Sequence, residues 1–174
     1  MNSKKEHKDP KQFPVRYRYP PKSDTTRPKK LLLKAIYVLP EEVLDYFTQK
    51  PVLFCWDTEN SKSEVVRFND KDTKEFEFVI HFSSSIWGYT DDEIFSFMLI
   101  QIAHCYLGNE SGFWSYEKNK EQVPKQEYKA QQLANKWVQN YVKNKFDLNE
   151  KHQINIPSNL NAKPIENRFI DYYS

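Results

Sequence analysis

The chain has 174 residues, 39% hydrophobic and 16% aromatic, which suits one domain with room for a tail and leaves no material for a second core. Twelve Phe, eleven Tyr and four Trp must carry much of the burial, which excludes a chain disordered throughout. The net charge of +2 is uneven: residues 1 to 30 hold ten Lys or Arg against Glu6, Asp9 and Asp24, a balance of +7 that leaves −5 for the rest.

Residues 1 to 30 contain Pro10, Pro14, Pro20, Pro21 and Pro28, so no helix or strand is expected to run far through them. They read as a basic, Pro-rich and disordered arm. Such an arm suits contact with nucleic acid, an acidic partner or an anionic membrane surface, and Arg16-Tyr17-Arg18-Tyr19 interleaves cations with rings as a single-strand binder does. The plainer alternative is a solvated terminus.

Residues 31 to 145 read as the folded domain and 146 to 174 as a C-terminal tail. Pro40 followed by Glu41 and Glu42 starts a helix over residues 40 to 48. Val52, Phe54 and Trp56 alternate as one face of a strand, and residues 65 to 68 supply a second strand. Phe76, Phe78, Ile80 and Phe82 then alternate in a half-buried strand, taken as the edge of the sheet. Thr90 and Glu93 spell a capping box that opens a helix to Leu107, with Gly108 as its stop. This helix is apolar nearly all round and so belongs at the buried centre. Residues 126 to 142, with Leu133, Trp137 and Tyr141 at helical spacing, form the last strong helix. The expected class is α+β: a small mixed or antiparallel sheet with an edge strand, packed on a buried central helix and a second long helix.

Two cysteines, Cys55 and Cys105, make no disulfide framework, and no charged segment at the N-terminus leads into an apolar one. The longest apolar stretch is interrupted by Ser96, Gln101 and His104 and is too short for a membrane span. The expectation is a cytoplasmic, reduced protein.

Polar exceptions on a buried helix are informative, because an unpaired buried polar group costs about 1 to 3 kcal/mol. Gln101 and His104 are three apart and share a face. The best partner for His104 is Glu127 on the last helix, with Gln131 one turn further on the same side. The order helix, strand, hairpin, edge strand, buried helix, second helix, with Ile102-Ala103-His104 and Leu107-Gly108, resembles the small gluzincin-like metallopeptidases, or minigluzincins. That resemblance implies a zincin-like fold in which the buried helix carries His-Glu-x-x-His and the next helix Glu-x-x-Ala-Asp. It implies two imidazoles and a Glu on zinc, a Glu as general base, and an Asp steadying a ligand.

Laid on that pattern, the first His falls on Ile100 and the base on Gln101, while His104 and Glu127 stand as remnant metal ligands and Gln131 replaces the Asp. A rival register takes His104 as the first His, which places Cys105 on the base and the helix terminator Gly108 on a ligand. Both registers lack the catalytic Glu, and Gln cannot take a proton from zinc-bound water. His81 and the aromatic segment with Trp114 and Tyr116 are expected to line a binding cleft; the alternative places both rings as lids of the core. His7 and His152 lie in polar segments, and Phe169, Ile170, Tyr172 and Tyr173 give the tail a surface for docking on the body or on a partner.

The function expected is that of a non-catalytic metallopeptidase-like protein that binds a protein partner and needs no cofactor. Two alternatives stand beside it: a divergent zinc hydrolase with a rebuilt metal site, and a nucleic-acid-associated protein tethered by residues 1 to 30. A buried His104–Glu127 pair with no metal history is the plainest account of the same residues.

Overall fold

A computed structural model describes residues 15–18, 26–56, 64–67, 77–82, 86, 88–109 and 121–144. Strand β1 (Val15–Arg18) is followed by helices α1 (Thr26–Val38) and α2 (Glu41–Gln49) and strands β2 (Val52–Trp56), β3 (Glu64–Arg67) and β4 (Phe78–Phe82). Helices α3 (Asp91–Tyr106) and α4 (Val123–Asn144) complete the order. Among the described residues, no helix is long and apolar enough to cross a membrane.

The four strands form one sheet in the order β1-β2-β4-β3. β1 pairs parallel with β2, β2 parallel with β4, and β3 antiparallel with β4. The class is therefore α and β with a mixed sheet, but its central pairings are parallel, against the antiparallel alternative. The connection from β2 to β4 makes this possible, since β3 intervenes in sequence and hairpins back onto β4. A second correction follows. The 78–82 strand is interior, between β2 and β3, and the antiparallel edge is β3.

A third correction concerns the expected arm. Val15–Arg18 is an edge strand of the sheet and α1 begins at Thr26, so a strand and the first five residues of a helix lie within residues 1 to 30. The prolines permit this. Pro28 falls in the first turn of α1, where its missing N–H has no intrahelical acceptor to serve, and no proline of the sequence falls within Val15–Arg18.

Alternation decides which side of the sheet is buried. Val52, Phe54 and Trp56 of β2, Phe78, Ile80 and Phe82 of β4, and Val65 of β3 are all buried, while Leu53, Cys55, Val79 and His81 are half-buried. Phe82 stands 5.0 Å from Trp56 and 6.1 Å from Phe97 of α3, ring centre to ring centre, so the buried face is the one that meets the helices.

α3 is the centre of the domain. It touches α1, α2, α4, β3 and β4, and from Ile94 to Cys105 every residue except the half-buried Phe97 is buried. Phe95, Met98 and Leu99 are wholly enclosed, each worth about 1.5 to 3 kcal/mol of apolar transfer. At its start Thr90 Oγ1 accepts from the Glu93 N–H at 3.3 Å, and Glu93 Oε2 accepts from the Thr90 N–H at 3.0 Å. Arg27 of α1 binds Asp91 at 2.8 Å and the Tyr89 carbonyl at 2.7 Å, which ties α1 to the same end. The helix stops at Gly108, whose φ of 70° is the left-handed conformation glycine adopts without strain. There the Gly108 N–H donates to the Cys105 carbonyl and the Asn109 N–H to the His104 carbonyl, the paired bonds of a Schellman ending.

Candidate functional site at the α3–α4 contact

The last turn of α3 meets the first turns of α4. Ala130 and Ala134 are fully buried and let the α4 backbone come close, and Trp137, Val138 and Tyr141 continue the buried stripe. Glu127 lies at the head of that stripe, three residues before Ala130. From α3, His104 projects into the contact with 1% exposure, and its Nε2 lies 3.2 Å from Glu127 Oε2, whose side chain is 18% exposed. The structure thus brings together the two residues that sequence reasoning paired.

The pair is close but poorly aligned. Neither Nδ1 nor Nε2 of His104 meets hydrogen-bond geometry with any partner among the described residues, although both atoms are buried. The distance marks an electrostatic contact, and the angles leave the imidazole without a full hydrogen bond. Gln101, one turn before His104, is equally buried, and Ile100, four residues before it, is 2% exposed. Gln131 sits one turn beyond Glu127 on α4 and is half-buried.

The donor set does not fit the zinc that the resemblance implies. Adjacent ligand atoms on a tetrahedral zinc with bonds of about 2.0 to 2.1 Å stand about 3.3 Å apart, so the 3.2 Å spacing could serve as one edge of such a site. A third protein donor is required, and its place one turn before His104 is held by the hydrocarbon of Ile100. Among the described residues no group of three or more His, Cys, Asp or Glu side chains could hold a metal ion.

No family model matches the chain, and no curated protein or solved structure matches it.

His81 does not line this contact. Strand alternation turns it to the side of the sheet opposite Phe82, and it is Phe82 that faces α3. The cleft expected from His81, Trp114 and Tyr116 falls in part outside the described residues. Trp114 and Tyr116 lie outside the described residues. Cys105, adjacent to His104, points about 100° away around the helix and is fully buried. Burial pushes its thiol well above the ordinary value, with a backbone hydrogen bond opposing, so it is an inert core residue.

Tyr46 and Tyr106, which the sequence did not single out, join Trp137 to wall this end of α3. Tyr46 of α2 stands 4.9 Å from Tyr106, and Tyr106 stands 6.0 Å from Trp137 of α4, ring centre to ring centre. The Tyr46 hydroxyl reaches the Cys105 carbonyl at 3.5 Å. Tyr46 and Cys105 are 59 residues apart, and no local pattern links them.

Proposed function

We propose that the chain is a non-catalytic, metallopeptidase-like protein that acts by binding a protein partner. The observation that carries this reading is the His104–Glu127 contact at 3.2 Å across α3 and α4, with Ile100 at the position of the first zinc ligand and Gln101 at that of the base. The layout supports it too. Along the chain a helix precedes a strand, a hairpin follows, and a buried helix leads to a second long one, the element order on which the resemblance rests, although the strand before the buried helix is interior and parallel to β2. A domain of this kind holds the ligand-bearing helices together with an imidazole–carboxylate pair, and recognition is what is left to it.

The test is metal content. The purified full chain is expected to be folded and zinc-free by elemental analysis, and to leave peptide substrates uncut with zinc added. Stoichiometric zinc would overturn the reading. A divergent zinc hydrolase would then take its place, favoured by the near-tetrahedral spacing and by the unaligned nitrogens of buried His104. That alternative needs a third donor from residues outside those described.

A further inference from the structure

The side of the sheet turned away from the helices carries a second cluster. Register pairs Cys55 of β2 with His81 of β4, and on the flanking strands it pairs Arg18 with Cys55 and Glu64 with His81. One row across all four strands therefore runs Arg18, Cys55, His81, Glu64. Neighbouring strands lie about 4.8 Å apart, so a cysteine and a histidine in register on one face are within reach of each other. Both are half-buried and hence accessible to a small reagent, whereas Cys105 is sealed in the core.

We infer that Cys55 is a reactive thiol, with His81 as the base that takes its proton, and that it is a site of S-thiolation by low-molecular-weight disulfides. In the reaction the Cys55 thiolate attacks one sulfur of the disulfide, a protein mixed disulfide forms, and the original S–S bond breaks. The leaving thiolate takes the electron pair and then the proton that His81 accepted. Cys55 is oxidised and half of the reagent is reduced, so the exchange needs no other co-reactant.

The size of the effect follows from two opposing terms. Lowering a thiol pKa from about 8.5 to about 7 raises the thiolate fraction at about pH 7 some sixteenfold, and the weaker nucleophile returns about fivefold of that. A net gain of about threefold at neutral pH is expected, with the pH–rate midpoint displaced by more than a unit.

The experiment treats the native full chain with the neutral disulfide dithiodipyridine across a pH series and locates the adduct by peptide mass spectrometry. One adduct, at Cys55, is expected, with a midpoint well below about 8.5; His81→Gln should return the midpoint to about that value and slow the neutral-pH reaction about threefold. Cys105 should react only after denaturation. A wild-type midpoint at or above about 8.5, a midpoint that His81→Gln leaves in place, or labelling of Cys105 as fast as Cys55 in the native chain would overturn the inference. The wild-type profile decides even where the variant does not fold.

Discussion

The contact between His104 and Glu127 can be weighed by a double-mutant cycle. Glu127→Ala removes the carboxylate beside a 99% buried imidazole that lacks an aligned hydrogen bond among the described residues, and should cost about 1 to 3 kcal/mol. His104→Ala loses the same contact and leaves a gap. If about 60 Å³ fails to collapse, that gap adds about 1.4 kcal/mol at about 24 cal/mol per Å³. In the double variant there is no stranded imidazole for the missing carboxylate to penalise. Its cost should therefore fall short of the sum of the single variants by about 0.5 to 2 kcal/mol. Urea melts of the four proteins, with a chelator excluding adventitious zinc, give the coupling directly. Additivity within about 0.3 kcal/mol would refute the reasoning, because residues in contact do not behave independently.

Three further outcomes are expected. Gln101→Glu alone should create no peptidase activity, since Ile100 still occupies the first ligand position, while Ile100→His with Gln101→Glu should bring zinc affinity, seen by calorimetry, at about 1 to 4 kcal/mol of apo stability; metal-dependent cleavage by the single variant would show the register to be wrong. Thr90→Ala removes the hydroxyl half of the capping box, leaving the residue-90 N–H to Glu93 Oε2, and should lower stability by about 1 kcal/mol in urea melts, with no loss if water replaces the cap without cost. The Glu77 carboxylate, 3.2 Å from Lys50 Nζ, raises the Lys50 pKa above its ordinary range, with burial opposing. A raised folded value means the contribution is full below about pH 10.4 and is lost as pH climbs through the folded pKa. With the side chain 38% exposed, solvent screening holds it to a few tenths of a kcal/mol, and the stability gap between wild type and Lys50→Met should narrow only in alkali.

What the sequence disclosed, and what it hid, divides by range. Thr90, Glu93 and Gly108 spell the ends of α3 within four residues of the bonds they make, so those ends are legible. His104 and Glu127 are legible for another reason: on a helix that is apolar all round, a buried polar side chain demands a partner, and few candidates exist. Strand direction carries no such mark. Parallel or antiparallel pairing depends on the path between strands, and neither Val52–Trp56 nor Phe78–Phe82 changes its pattern with it. The strand Val15–Arg18 is four residues long among prolines, too short to display a period. His81 is visibly out of phase with Phe78 and Ile80, but only the packing of the sheet on α3 turns that phase into a face.

The parallel seam between β1 and β2 makes the N-terminus part of the machine that holds β2 in place. A truncation starting after residue 30 would strip β2 of its β1 neighbour from Val52 to Cys55 and remove the first five residues of α1. The bared edge would offer a row of unanswered N–H and C=O groups, the kind of ladder on which chains stack into aggregates. A shortened chain that precipitates would thus report a lost seam, not a lost tether.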